Sequence, residues 1–590
     1  MTVRKVRRSQ FVSPFGPGAL IDLVGESFVV EDAGNWRGPL EEIVFPRLAA
    51  YLKVAHLRSP SPRSRWLPYY RFPRRLFCPN CRRVRFWSRH DEKQNAAPVC
   101  DKCTVTTRLV PMRFVAVCAN GHLDDVNWRN WAHSADRNTR NQQQCGVNEI
   151  RFDSKADVGS GLQSLTVTCI ACKASRSLEE LSQKYRVRCS GRQPWQSSAD
   201  EVNCDERMVV MQRGAAAVYF PTVVSAIDIP PESSWSSINN PLTKLRQNND
   251  FVWLQNSPNH ALRSAMINVV ANQTGISTAE VEAALLSMTG EVHYDPDAGP
   301  DDIPVEEWVA LTNPQAEPHD HKDHFITRRA DRPLRGDSPI SSAWRGFISD
   351  VIMVDRLREV RVLQHFERHT MNESVASNLA PNPDFLPATE VFGEGFFIRF
   401  DEEELVSWEQ LPKVRDRCSS LVRRRQQARS TWLKEPTPRR LLLHTFAHLL
   451  LRHTAFDAGY STSSLRERLY VTEGQEGPAM AGILIYTAAG DSEGTLGGLV
   501  RMGEFPRLIR LLDMSVAAAN WCSFDPVCSE SSGQGPHGLS LAACHACSLV
   551  PETSCVEANR LLDRRLLIDP DYGFFRSLLP LLEQALGGEH

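Results

Sequence analysis

The sequence predicts an α+β, multidomain chain: four-cysteine, zinc-ribbon-like modules in the N-terminal third, a mixed middle region, and an α/β C-terminal domain with a further four-cysteine site. Three observations lead there. At 590 residues the chain is too long for one hydrophobic core, since single cores stop growing at about 250–300 residues. Fifteen of its 16 cysteines fall in two regions, ten between Cys78 and Cys204 and five between Cys522 and Cys555. Short β-rich runs also alternate with a few strongly apolar, helix-like stretches.

Taken in order, residues 1–60 carry apolar runs at ALIDLV and SFVV behind a Gly/Pro turn. Residues 61–210 are rich in Arg, aromatics and Cys, with strand-like runs such as RFVAV and SLTVTC. Residues 211–440 form the mixed middle region. It opens with β-branched and small residues (AAAVYFPTVVSAIDI) and stops at Pro230-Pro231; residues 238–310 read as largely helical, with Ser277 and Glu280 as a capping box. NPQAEPHDHKDH reads as a connector, residues 341–368 as an amphipathic helix, and residues 374–410 as loops and short strands. Residues 441–590 form the C-terminal domain: LLLHTFAHLLLRH as a helix, AGILIYT as a buried strand, a Gly-rich loop, and the helix FPRLIRLLDMSVAAANW.

A net charge of −2 excludes a uniformly basic nucleic-acid coat, though it allows a local patch. The start, MTVRKVRRSQFVSPFGPG, has charges but no apolar core of a secretory signal. No run of about 18 apolar residues occurs, so a cytoplasmic protein with no membrane span is expected. In a reducing compartment, clustered cysteines favour metal over disulfides.

Cys78-x-x-Cys81 and Cys100-x-x-Cys103, 18 residues apart, fit a tetrahedral zinc ribbon, because each tight turn offers two thiolates. Cys169-x-x-Cys172 with Cys189 and Cys204 is expected to make a second four-cysteine site. Cys118 and His122 are left over: they form a further, fourth site with Cys145 as a candidate partner, replace a ligand in a neighbouring site, or simply pack. At the C-terminal end Cys522, Cys528, Cys544, Cys547 and Cys555 offer five thiols for four places, with Cys528, Cys544, Cys547 and Cys555 the preferred set. Sites closed by four protein ligands are structural, since catalysis needs an open coordination position. Cys418 stands alone and reads as a buried thiol.

Residues 58–89 hold ten arginines and no acid, interleaved with aromatics. Arginines neutralise phosphates and aromatic rings stack on bases, so Arg71, Arg74, Arg75, Arg82, Arg83, Arg85 and Trp87 are candidate DNA contacts. The alternative is that they dock on an acidic partner or form the core of the ribbon. The basic run 422–440 reads as a solvated helix face.

No catalytic constellation emerges. His444 and His448 share a helix face, but Thr445 stands where H-E-x-x-H needs Glu, so they read as buried structural histidines. The loop 488–503 has five glycines and could cradle an anion, yet it matches neither a P-loop nor G-x-G-x-x-G. Asp491 and Glu493 lack a third ligand. HDHKDH (319–324) is out of register for an H-x-K nuclease motif. No small-molecule substrate is evident.

Seven segments in one order, RRSQFVSPFGPGALIDL, CANGHLDDVNW, MQRGAAAVYFP, LLHTFAHLLLR, GYSTSSLRERLY, GTLGGLVRMG and ACHACSLVPETSCVEANRLLDR, together resemble the DrmB family, components of the bacterial DISARM antiphage defence system. The resemblance spans about residues 7–569. Its C-terminal part is similar to a helicase-associated domain that ends MrfA-like repair helicases, where four cysteines hold zinc. Carried over, those ligands would be Cys528, Cys544, Cys547 and Cys555, although the long gap after Cys528 departs from the tighter helicase version. The resemblance implies a non-enzymatic partner of a superfamily 2 helicase (DrmA-like) that helps engage phage DNA. Two competing expectations are a metal-dependent nuclease or hydrolase acting at the 488–503 loop with His444, His448 or Asp491, and a purely protein-binding adaptor.

Overall fold

The structure is a computed structural model. It describes residues 8–36, 38–61, 69–93, 96–134, 145–146, 149–154, 161–196, 203–229, 245, 248–256, 260–278, 281–282, 285, 302–314, 324–331, 334–336, 338–369, 374–428, 432–472, 478–487 and 497–587. The chain divides into two compact units interleaved in sequence: residues 1–43, 54–225 and 361–389, and residues 44–53, 226–360 and 390–590.

The first unit is built from short strands joined by tight turns. One antiparallel sheet runs Leu123–Asp125, Phe114–Val117, Arg207–Gln212, Val187–Arg188. Another runs Ser175–Ser177, Leu165–Cys169, Ile150–Ser154, Arg83–Phe86, Arg75–Phe77, Val110–Pro111. Strands this short bury little on their own, and the turns between them carry the cysteines. Arg368 lies fully buried in this unit, donating to the carbonyls of Gly121 (3.0 Å), Val218 and Gly18.

In the second unit a long helix, Pro438–Ala458, packs on the antiparallel pair Leu465–Thr472 and Met480–Thr487. Thr437 caps it by accepting from the Arg440 amide, Pro438 suits its first turn, and Gly459 (φ 72°) ends it in the left-handed conformation. The helix is apolar nearly all round because Arg507–Ala519 and Arg565–Ile568 cover it as well. Met480–Thr487 is buried at every position, as a strand covered on both faces should be.

The expected helix at 341–368 is corrected. Only Pro339–Phe347 is helical, and Ile348–Glu367 is one 20-residue strand. Its RLREVR run imitates helical charge spacing, but the two central charges are buried and paired, Arg358 on Asp228 (2.9 Å) and Glu359 on Arg466 (3.2 Å). Within 374–410 the chain forms a 16-residue strand, Phe385–Phe400, and a helix, Glu402–Glu409. Helices Asn249–Asn256, His260–Thr274 and Ile303–Thr312 agree with the helical reading of 238–310; Glu280 of the capping box lies outside the described residues.

Candidate metal centres

Among the described residues, five clusters each bring four metal-ligating side chains together, with one donor atom per residue and all donors of a cluster within 4.8 Å of one another.

In the first, Cys78 and Cys81 sit in the turn between Arg75–Phe77 and Arg83–Phe86, and Arg82 (φ 63°) lets the chain reverse. Cys78 Sγ lies 3.6 Å from Cys103 Sγ, and Cys81 Sγ lies 3.7 Å from Cys100 Sγ. Backbone amides point at the sulfurs, Cys81 N at Cys78 (3.4 Å) and Lys102 N at Cys100 (3.4 Å). Burial alone would raise the Cys78 thiol, but the amides of Cys81 and Asn80 outweigh it and bring it to about 7. The ribbon's small core is Leu76, Trp87 and Leu109.

The expected set Cys169, Cys172, Cys189 and Cys204 is regrouped by the fold into two clusters. Cys189 and Cys204 join Cys118 and His122, with all four side chains buried. Cys118 Sγ lies 3.3 Å from His122 Nδ1 and 3.6 Å from Cys189 Sγ, and the Gly191 amide donates to Cys189 at 3.3 Å. The Cys189 thiol, helped by His122 against the cost of burial, lowers Cys118 to about 4. Cys169 and Cys172 instead join Cys145 and His133. Cys169 Sγ lies 3.7 Å from Cys145 Sγ, and His133 Nε2 lies 3.1 Å from Cys172 Sγ. The regrouping follows from pairing: Arg207–Gln212 hydrogen-bonds to Phe114–Val117 and to Val187–Arg188. That places Cys189 beside Cys118, although Cys172 is nearer in sequence. His133 was missed because nothing in the short helix Trp128–His133 marks its last residue as a ligand.

At the C-terminal end the cluster is Cys522, Cys528, Cys544 and Cys547. Cys522 Sγ lies 3.4 Å from Cys544 Sγ, Cys528 Sγ 3.8 Å from Cys547 Sγ, and Cys544 Sγ 3.7 Å from Cys547 Sγ. Cys522 therefore takes the place expected for Cys555. The expectation counted the C-x-x-C pair and its near neighbours, but the turn at Cys522 reaches back to the pair, with Cys522 N donating to Asp525 Oδ2 at 3.1 Å.

Cys555 belongs to a fifth cluster with His444, His448 and Glu467, all buried. His444 Nε2 lies 3.2 Å from Cys555 Sγ and 3.2 Å from Glu467 Oε1, and His448 Nε2 lies 3.5 Å from that same oxygen. His448 Nδ1 lies 2.8 Å from the Ser548 carbonyl. Burial would lower both imidazoles, but Glu467 and Cys555 outweigh it, raising His444 well above its ordinary value and His448 to about 9. Cys418 sits apart in the apolar core, where burial pushes its thiol up to about 12.

The expected DNA contacts are less free than the sequence implies. Trp87 is buried in the ribbon core and cannot stack on a base. Arg71 is buried and held by Glu26 (3.0 Å) and Glu92 (2.6 Å). Arg85 is shared between Asp91 (2.9 Å) and Asp101 (3.2 Å), and Arg83 faces Glu149 at 3.7 Å. Arg75 lies over the Phe86 ring, and Arg74 is half-buried. Arg82 makes no ion pair among the described residues. In the Gly-rich loop, Asp491 and Glu493 lie outside the described residues. The amides of Gly497 and Leu499 donate to the buried Glu394 carboxylate (2.8 Å for Leu499), so at these two residues the loop already holds an anionic group from its own chain.

The donor sets of the all-cysteine and three-cysteine, one-histidine clusters fit structural zinc: sulfur and nitrogen ligands, short S···S and S···N separations, and amides directed at the sulfurs. For the C-terminal cluster, comparison with known proteins agrees. Residues 446–548 match the MrfA Zn-binding domain, which includes Cys522, Cys528, Cys544 and Cys547. Residues 7–220 match a domain of unknown function (DUF8724). The chain is 30% identical to the DISARM protein DrmB of Bacillus paralicheniformis, over 95% of this chain and the whole of that relative. A likeness of that extent, running through both units and through the zinc-binding domain, shows that the chain belongs to the DrmB family of DISARM proteins.

Proposed function

We propose that the chain is a non-catalytic, zinc-stabilised accessory subunit of an antiphage defence complex, which binds a DrmA-like superfamily 2 helicase and helps that complex engage phage DNA. The observation that carries this reading is the end-to-end similarity to a DISARM protein. The chemistry of the clusters supports it. Zinc held by Cys78, Cys81, Cys100 and Cys103, by Cys118, His122, Cys189 and Cys204, by His133, Cys145, Cys169 and Cys172, and by Cys522, Cys528, Cys544 and Cys547 would fix turns that short strands cannot stabilise alone. His444 and His448, with no exposed surface, cannot reach a substrate, which weighs against the hydrolase reading.

Beside the C-terminal cluster Trp521, Phe524 and Val527 are 72%, 61% and 77% exposed. Large apolar side chains grouped at the surface suit a protein partner, so this turn is our choice for the helicase contact. The test is co-purification with the helicase subunit. The two should elute as one complex with ATPase activity in the partner, and Trp521→Ala should weaken it. Separate elution at micromolar concentration would end this reading.

The pairing of Arg71, Arg83 and Arg85 with acids favours a second reading, an adaptor that touches protein only. Reversing Arg75, Arg82 and Arg83 to Glu separates the two. If the ribbon meets DNA, affinity of the complex falls and its salt dependence becomes shallower; unchanged affinity and slope favour the adaptor.

A further inference from the structure

We infer that His444, His448, Glu467 and Cys555 form a closed, mixed-ligand site for a divalent zinc-class ion, distinct from the four-cysteine site of the zinc-binding domain. The four residues come from three separate stretches: the long helix Pro438–Ala458, the strand Leu465–Thr472, and the turn that follows the zinc-binding segment. One ion would tie all three together.

The geometry fits. Bonds of about 2.0–2.3 Å from zinc to N, O and S put the donors of a tetrahedron roughly 3.3–3.8 Å apart. The separations found are 3.5 Å (His448 Nε2 to Glu467 Oε1), inside that range, and 3.2 Å (His444 Nε2 to Cys555 Sγ and to Glu467 Oε1), just below it.

Orientation points the same way. His448 Nδ1 faces the Ser548 carbonyl and therefore carries the proton when the ring is neutral. That leaves a bare Nε2 lone pair aimed at a carboxylate oxygen, acceptor against acceptor. Only a second proton on the ring or a metal ion reconciles that contact, and a ring whose outer nitrogen donates to a carbonyl is the usual support of a metal-bound histidine. His448 Nε2 and Glu467 Oε2 are buried atoms without a hydrogen-bond partner among the described residues. Such orphans are costly unless something unseen satisfies them.

The sulfur carries a further mark. The amide two residues on donates to Cys100 (Lys102 N, 3.4 Å), Cys189 (Gly191 N, 3.3 Å) and Cys522 (Phe524 N, 3.5 Å), one cysteine from each of three other clusters. Cys555 receives the same bond from Glu557 N at 3.3 Å, and a second from Asn559 N at 3.2 Å. Two amides on one buried sulfur suit a thiolate.

Charge closes the argument. A dication with one thiolate, one carboxylate and two neutral imidazoles sums to zero, the condition under which such a group can be buried. Glu557, close by at 3.4 Å from His444 Nδ1, is matched separately by Arg440 at 2.9 Å. With four protein donors and no exposed face, the site has no open position and its role is structural.

The inference does not depend on the partner or DNA reading. The test is metal counting on the full-length chain, by native mass spectrometry and elemental analysis. Wild type should carry five ions per chain. Glu467→Gln and Cys555→Ser, both close in size to the native residue, should each lose one ion while the others stay, with circular dichroism reporting the fold. A variant that keeps the wild-type count overturns the site. It would mean that the four residues form a metal-free network of ion pairs. Should either variant fail to fold, the wild-type count decides: five sustains the site and four or fewer overturns it.

Discussion

Truncating Glu307 should destabilise the second unit far more than truncating its neighbour Glu306. Glu307 is fully buried on the helix Ile303–Thr312. Its Oε2 accepts from Arg468 Nε (2.5 Å) and from the Tyr470 hydroxyl (2.9 Å), and its Oε1 from Arg468 Nη2 (2.8 Å) and the Ile227 amide (2.7 Å). Glu307→Ala removes the carboxylate that answers a buried guanidinium, a loss of about 3–5 kcal/mol. It also strands a buried phenol and a buried amide at about 1–3 kcal/mol each. Relaxation and water entry overlap these terms, so we expect about 5 kcal/mol. Glu306 holds Arg47 at 2.9 Å and accepts from the Tyr51 hydroxyl, but 36% of its side chain is exposed, so water replaces part of what is lost and we expect about 1–2 kcal/mol. Urea unfolding of the full chain, followed by tryptophan fluorescence, compares the two variants directly. Equal costs for Glu307→Ala and Glu306→Ala would refute the reasoning. The strand that Arg468 anchors also carries Glu467, so the same variant should loosen the fifth cluster.

Three further outcomes are expected. Cys522→Ser should cost one zinc per chain, whereas Cys418→Ala, in an apolar core, should leave the metal count unchanged; elemental analysis reads both. Burial raises Asp513 to about 6, with the Trp344 indole N–H donating to it at 2.7 Å. A carboxyl whose folded value lies above its unfolded one favours the fold below about pH 4 and loses that contribution as pH rises through about 6. Asp513→Asn should therefore flatten the stability profile between those values and raise stability at pH 7, measured as urea midpoints. Gly121 has φ 76°, and a Cβ there would meet Val375 Cγ2 at 2.4 Å. Gly121→Ala should cost about 1–3 kcal/mol and release the Cys118–His122 metal, seen as a drop of one ion per chain.

The parts legible in sequence were those set by local chemistry. The long C-terminal helix, the buried strand after it and the Cys78–Cys103 ribbon each depend on neighbours a few residues away. The ligand sets at Cys189, Cys204 and Cys555 were not legible, because strand pairing and helix packing choose the partners. Cys189 reaches Cys118 through a sheet, and Cys555 reaches His444 across 111 residues. The strand Ile348–Glu367 was hidden for a different reason. Both its faces are covered over much of its length, which erases the alternation that marks a strand, and its buried ion pairs look like a helix's surface charges.

The arginine-rich stretch shows how a local count misleads in the same way. Residues 58–89 contain no acid, but the acids that answer them stand outside the stretch: Asp91, Glu92 and Asp101 just beyond, Glu26 before it, and Glu149 and Asp384 farther along the chain. Arg74, Arg75, Arg82 and Arg89 are the members with no ion pair among the described residues, and Arg89 lies over the Tyr70 ring. If all four met phosphates, they would contribute about 3–4 to the slope of log affinity against log salt, at roughly 0.9 per contact on duplex DNA, and Arg63 and Arg65, outside the described residues, about 2 more at most. Ten free arginines would give about 9. Titrating the complex with DNA at several salt concentrations, with and without Arg75→Glu and Arg82→Glu, measures the difference. A ribbon-dependent slope well above about 5 would mean that the pairs on Arg58, Arg71, Arg83 and Arg85 open on binding, and that the charge counted in the sequence is available to DNA after all.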